Sequence, residues 1–286
     1  MRTSTTLLLA FLALISYGQT AQDFEGTWEL HSFIDHVRGG TEWEEYERRV
    51  VFQKHIAGGH FTWVRYDSET SELLGMGGGT YTVDDGMYIE NLDFFYPPGS
   101  NELGQTIPFR AEFDREKWYH TGQVQVYDIG LEGESVVVDS IKIEEIWKPI
   151  SRSRNDADLI GAWELTQYKD SPESEYMVYP EFIGYMKIIT PSHFVWIKWD
   201  REGDQIFAAG SGPYRFKTGE EYVEELDFHF PASYSIGQRI VFDCALNGNQ
   251  WKHFGVVDNE DGSVDQVDEY WSPKIVVRDF NDLDLD

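Results

Sequence analysis

The sequence is poor in cysteine and in basic residues. Cys244 is the single cysteine among 286 residues, so neither an intrachain disulfide nor a thiolate zinc site can form. Lysine and arginine number 23 against 51 acidic residues, which gives a formal net charge of -28. This field repels nucleic acid and anionic membrane surfaces, so neither is an expected partner. Stability must therefore come from core packing.

Long apolar runs are also missing. The longest, residues 7–15, is too short to span a bilayer core of about 30 Å, so no transmembrane segment is predicted. It follows Arg2 and precedes the small residues Ser16 and Gly18, a pattern typical of a cleavable signal peptide over residues 1–18. We expect export, either to a periplasm or out of the cell.

Motifs for cofactor, metal or nucleophile chemistry are lacking. Residues 77–79 are Gly-Gly-Gly, but no Gly-Lys-Ser or Gly-Lys-Thr follows them, so close backbone approach or a strand kink is the better interpretation. No His-Glu-x-x-His or Gly-x-Ser-x-Gly pattern occurs. We therefore expect neither a cofactor nor a metal.

The chain does contain a long internal repeat. The Gly-Thr-Trp-Glu-Leu block at 26–30 recurs as Gly-Ala-Trp-Glu-Leu at 161–165. Further blocks recur in the same order about 133 residues apart, and the last pair is closer because the final hairpin of the second copy is shorter by about ten residues. A unit of this length is a whole domain. The predicted boundaries are a signal peptide 1–18, a first domain 22–150, a linker 151–157, a second domain 158–274 and an acidic tail 275–286.

Each copy consists of short segments rich in β-branched and aromatic residues, separated by turn residues. This pattern predicts about eight consecutive antiparallel strands per copy. The fold class is therefore all-β, with two consecutive up-and-down barrels. In the first copy the strands are predicted at 26–34, 49–55, 60–67, 73–83, 87–95, 105–113, 118–127 and 135–147.

Each copy opens with Gly-x-Trp on its first strand, at Gly26 and Gly161. In this motif, and in strand order and length, the copies resemble lipocalin-like domains of the calycin group, of the uncharacterised bacterial secreted kind. The resemblance covers essentially the whole chain after the signal peptide. It implies a barrel whose mouth accepts a small, often apolar ligand.

Strand alternation places aromatic, acidic, basic and imidazole side chains together on one inner face in both copies. We expect the charges to pair internally, Arg65 with Glu90 or Glu145 and Lys198 with Glu224 or Glu269. The candidate ligand-binding residues are Trp63, Arg65, Tyr81, Glu90, Trp118, His120, Glu145, Trp196, Lys198, Tyr214, Glu224, Trp251, His253 and Glu269.

Three functions are compatible with this face. The leading hypothesis is binding of a small molecule in the barrel interior, since such sites are concave, aromatic and lined by few polar groups. The first alternative is a non-catalytic structural or protein-interaction module with filled barrels. The second is a carboxylate-based hydrolase or isomerase, with Glu90 and Glu145 as acid and base beside His120. Oligomeric state is not predicted.

Overall fold

A computed structural model describes residues 19–99, 102–129, 135–150, 155–201, 205–218, 221–231, 236–259 and 262–276. The predicted signal peptide, most of the predicted linker (151–154) and most of the predicted tail (277–286) lie outside the described residues. Within the described ranges, no helix has the length and apolar character needed to cross a bilayer.

The first copy folds into a closed antiparallel barrel. The nine strands of its described residues are β1 (Gly26–Phe33), β2 (Glu44–Glu45), β3 (Val50–Ala57), β4 (His60–Asp67), β5 (Leu73–Asp84), β6 (Met87–Tyr96), β7 (Thr106–Asp114), β8 (Lys117–Ile129) and β9 (Ser135–Pro149). The two-residue β2 lies beside β1, and the other eight pair in sequence order until β9 returns to β1. The eight strands predicted from the sequence are confirmed, with ends within two residues of the observed ones.

The second copy repeats this topology. Its strands are β10 (Gly161–Tyr168), β11 (Met177–Val178), β12 (Ile183–Ile189), β13 (His193–Asp200), β14 (Ile206–Phe216), β15 (Tyr222–Glu225), β16 (Phe228–Phe230), β17 (Arg239–Asn247), β18 (Gln250–Asp258) and β19 (Val264–Pro273). The barrel closes through β10 and β19. Its last hairpin has strands of 9 and 10 residues where the first barrel has 13 and 15, which confirms the predicted shortening.

The Gly-x-Trp motif closes one end of each barrel. A short helix, Ala21–Phe24, precedes β1, and the Trp28 indole N–H donates to the Phe24 carbonyl oxygen at 2.8 Å. In the second copy the Trp163 indole donates to the Leu159 carbonyl oxygen at the same distance. Gly26 has φ of 142°, a backbone conformation that favours glycine. The motif therefore fixes the direction in which the chain enters the first strand, and its tryptophan holds the segment before that strand, the plug segment, against the end of the barrel.

The barrels pack against each other through an apolar cluster on their outer faces. Among the ring pairs that cross this interface are Tyr66 with Phe228 at 5.0 Å and Phe94 with Trp199 at 4.9 Å between centroids. The repeat relates Tyr66 to Trp199 and Phe94 to Phe228, so the two pairs are equivalent. The interface therefore has approximate two-fold symmetry, like the self-complementary contact of a homodimer.

A small polar group lies buried at the same interface. The hydroxyls of Thr27 and Thr190 are 2.7 Å apart, and the rings of His55 and His193 have centroids 6.1 Å apart. Burial lowers the pKa of His55 well below its usual value and that of His193 to about 4. Both imidazoles are therefore neutral at pH 7.

Candidate functional site

A buried ion pair crosses the interior of the first barrel. Lys54 on β3 donates from Nζ to Glu90 Oε1 on β6 at 2.6 Å, and the two side chains are 3% and 5% exposed. The ammonium also lies 5.1 Å from the Trp147 ring centroid and 5.3 Å from that of Trp118. A buried charge is costly unless it is paired, so separating Lys54 from Glu90 would leave two unpaired charges in the core. The ion pair and the cation–π contacts of the ammonium therefore hold the cluster in this arrangement.

A histidine and a second carboxylate complete the cluster. His120 Nδ1 lies 3.1 Å from Glu145 Oε2, and the Trp147 indole N–H donates to the same oxygen at 3.0 Å. Burial raises the pKa of Glu145, but the hydrogen bond and charge interaction with His120, followed by the Lys54 charge and the Trp147 hydrogen bond, outweigh it, so the pKa is lowered overall. Burial, followed by the nearby Lys54 charge, lowers the pKa of His120. At neutral pH the pair is therefore a neutral imidazole on a carboxylate anion.

The second barrel repeats the cluster with one electrostatic difference. Lys187 Nζ donates to Glu224 Oε1 at 2.8 Å, with both side chains buried. His253 Nδ1 lies 3.4 Å from Glu269 Oε2, which also accepts from the Trp271 indole at 3.0 Å. Burial dominates here and raises the pKa of Glu269. The equivalent carboxyls thus shift in opposite directions.

The first barrel has a cavity of about 320 Å³ beside its polar cluster. Lys54, Glu90, His120 and Glu145 line it together with aromatic rings. The rings meet edge to face, with Phe52 5.7 Å from Trp63 and 5.1 Å from Trp147 between centroids, and Phe95 5.4 Å from Trp63. This arrangement can hold an apolar body against a few fixed polar atoms.

Glycines on β5 allow Trp63 to lie flat against the wall. A Cβ on Gly77 would lie 2.8 Å from the Trp63 ring, and one on Gly75 would lie 3.2 Å from it. The prediction of close approach at residues 77–79 is therefore confirmed. In the second barrel Gly210 has the same relation to Trp196, but the positions equivalent to Gly75 and Leu74 carry Ala208 and Phe207.

The cavity opens toward a wider recess of about 670 Å³ at the mouth, and the two share Arg65, Leu74 and Glu145 in their walls. Arg65 is exposed, and its guanidinium donates to the Leu74 carbonyl oxygen at 3.5 Å. Glu102 lines the inner cavity, and burial followed by the Glu90 charge raises its pKa to about 7. The mouth is therefore polar and the interior largely aromatic.

Two predicted lining residues of each copy belong to the filled end instead. Tyr81 and Trp118 are 2% and 0% exposed in the packed core, and Tyr81 donates from its hydroxyl to the Ala21 carbonyl oxygen at 3.0 Å. Tyr214 and Trp251 are equally buried in the second barrel. None of these four side chains lines the cavity of the first barrel, because each packs in a hydrophobic core at the filled end of its barrel, and their role in ligand binding stays a prediction. Each barrel is thus closed at one end by its own side chains.

The predicted ion pairs need a second correction. Arg65 does not pair with Glu90 or Glu145, since Lys54 occupies Glu90 and Arg65 lies at the mouth. Lys198 likewise lies 5.9 Å from the Tyr179 ring centroid, while Lys187 holds Glu224. The sequence contains a signal that could have identified Lys54 and Lys187 as the buried partners. Each lies in an apolar strand, and the two are 133 residues apart, the same offset as other repeat blocks.

Comparison with known proteins yields fold neighbours of low identity. No family model matches the chain, and no curated protein matches it. One similar solved structure is the uncharacterized protein YLR301w of Saccharomyces cerevisiae, with 14% identity, a TM-score of 0.47, and coverage of 86% of this chain and 96% of that one. Another is a protein of unknown function from the DUF3598 family of Nostoc punctiforme, with 12% identity, a TM-score of 0.24, and coverage of 88% and 96%.

Proposed function

We propose that the first barrel binds a small molecule in its inner cavity and that the chain is a tandem lipocalin-like binding protein. The observation that carries the proposal is the cavity of about 320 Å³, which lies between aromatic rings and a buried polar cluster. Ligand sites span roughly 300–1,000 Å³ and combine apolar walls with a few polar groups. The volume favours a small ligand with an apolar or aromatic body.

The polar atoms next to this cavity support binding rather than packing alone. His120 lines the cavity, and its Nε2 is buried with no hydrogen-bond partner among the described residues. Catalysis is less well supported, because Lys54 holds Glu90, the first of the two carboxylates an acid and base pair would use. Buried polar atoms are normally hydrogen-bonded, and a ligand in the cavity could supply the missing partner of His120 Nε2.

The test is native mass spectrometry of the chain purified gently from its own host, followed by calorimetric titration with lipophilic and sugar-like compounds. We expect a retained or saturable ligand whose affinity falls at least about tenfold in Trp63→Ala, which removes a cavity wall. Trp43→Ala is the matched control, since Trp43 is 46% exposed and does not line the cavity. Circular dichroism must report folded protein in both variants. No retained mass together with no saturable response contradicts the proposal and favours a filled structural module.

We further propose that the chain is exported, on the basis of the charged, apolar and small-residue regions within residues 1–18. The expected mature N-terminus is Gln19, with Ala21 as the alternative. Edman sequencing of the protein recovered from the periplasm or medium tests this. Recovery of the whole chain from the cytoplasm with Met1 intact contradicts it.

A further inference from the structure

One carboxylate inside the first barrel has no cation at salt-bridge distance among the described residues. Lys54 and Glu90 neutralise each other, while Glu145 is a carboxylate whose one partner at salt-bridge distance in the described chain is the neutral His120 ring. The lowered pKa values of Glu145 and His120 agree with one anion and one neutral ring. Glu145 is therefore a mostly buried anion that no lysine or arginine of the described chain neutralises at salt-bridge distance, although Arg65 lies in the same cavity wall.

The geometry of Glu145 leaves one of its oxygens for a ligand. Both hydrogen bonds, from His120 and from Trp147, reach Oε2, and within the described residues Oε1 accepts none. The side chain is 16% exposed and lines the cavity and the recess at the mouth. A charged acceptor with an unused oxygen is thus held rigidly at the edge of the cavity.

The walls around this oxygen favour a cation. Trp63, Phe52 and Trp147 surround the cavity, and an ammonium near such ring faces gains cation–π attraction. Lys54 already places its ammonium within 6 Å of five rings in this barrel. The overall charge of -28 also raises the local concentration of cations. An anionic ligand would meet Glu90 and Glu145 and is disfavoured.

We infer that the ligand of the first barrel is a small primary amine with an aromatic or alkyl body, whose ammonium group binds Glu145 Oε1. This rests on the proposed binding function and adds the chemical class of the ligand. The body occupies the space between Trp63, Phe95 and Phe52, and the exposed Arg65 lies in the wall that the cavity shares with the recess at the mouth. The ammonium supplies a cation at salt-bridge distance to Glu145.

The test compares three probes of one shape by calorimetry at pH 7 and low salt, namely 2-phenylethylamine, 2-phenylethanol and 3-phenylpropionate. We expect the amine to bind at least about tenfold more tightly than the alcohol, a difference of about 1.4 kcal/mol, and the carboxylate to bind least. Glu145→Gln should weaken the amine more than the alcohol and so bring their affinities to within about threefold, because the amide oxygen still accepts from His120 and Trp147 but carries no charge. Glu112→Gln removes one charge from the outer surface and should change nothing.

The outcomes separate this inference from the proposed function. Equal binding of amine and alcohol, or an amine preference that survives in Glu145→Gln, overturns the amine assignment and leaves the binding cavity in place. Tighter binding of the carboxylate also overturns it. Failure of all three probes overturns the amine assignment, and the host-purified protein then decides separately whether the cavity binds any ligand.

Discussion

The two barrels have equivalent polar clusters in their interiors, but the residues near the mouth of each barrel differ. Both hold a buried lysine–glutamate pair next to a histidine, a glutamate and a tryptophan, at nearly the same distances. In the first barrel Gly75 and Leu74 stand where the second has Ala208 and Phe207, and Glu145 and Glu269 have pKa shifts of opposite sign. The comparison teaches that the cluster belongs to the fold, while positions 74 and 75 and their equivalents distinguish the surroundings of the cluster in the two barrels.

The largest expected effect tests the shared part of the comparison. Lys54→Ala leaves Glu90 as an uncompensated buried charge, which should cost about 3–5 kcal/mol of the free energy of unfolding. Lys187→Ala should cost the same in the second barrel, because the pair there has the same burial. Denaturant unfolding followed by circular dichroism measures both.

Arg110→Ala is the control, since its pair with Glu112 is exposed and should contribute less than about 1 kcal/mol. If one lysine proves dispensable while the other does not, the cluster is not a common requirement of the fold.

A second effect tests the contact between the barrels. His193 has its pKa lowered to about 4 by burial, so the unfolded chain binds the proton more tightly than the folded one. Stability is therefore complete above about pH 6.5 and falls as the pH drops toward 4, by on the order of 3 kcal/mol for this group. His55 faces His193 across the interface with a lowered pKa of its own, and the nearby polar groups are the hydroxyls of Thr27, Thr190 and Ser192.

His193→Gln should flatten this part of the pH profile, measured as the free energy of unfolding between pH 7 and pH 4. The comparison with the unmodified chain is needed because His60 and His229, each with a pKa of about 4, also titrate on unfolding. Identical pH profiles for the two proteins would contradict the prediction, because they would show that His193 has the same pKa in the folded and the unfolded chain.

The sequence predicts the strands well and the site only in part. Alternating apolar residues and turn signals locate the strands, since both depend on neighbours along the chain. The pairing of Lys54 with Glu90 depends on the way β3 and β6 face each other across the barrel, which alternation along one strand cannot specify. The sequence does contain a signal for the barrel–barrel interface. Val64 and Tyr66 make the outward face of β4 apolar as well as its inward face, which indicates a strand covered on both faces.

The smallest expected effect concerns the mouth. Gly75→Ala gives the first barrel the residue of the second, and its Cβ would lie 3.2 Å from the Trp63 ring, which must then move toward the cavity. We expect the affinity for the cavity ligand to fall by about tenfold, roughly 1.4 kcal/mol, with little change in stability. Calorimetric titration with the ligand retained from the host, or with the best probe, measures this.

Thr82→Ala, on the same strand but remote from the cavity lining, is the control and should leave the affinity unchanged. The reciprocal change, Ala208→Gly, gives the Trp196 ring the room that Trp63 has, although Phe207 remains beside it. If Gly75→Ala leaves the affinity intact, the glycine is not what shapes the cavity, and the difference between the barrels must then arise at Leu74 and Phe207 or at Phe95 and His229.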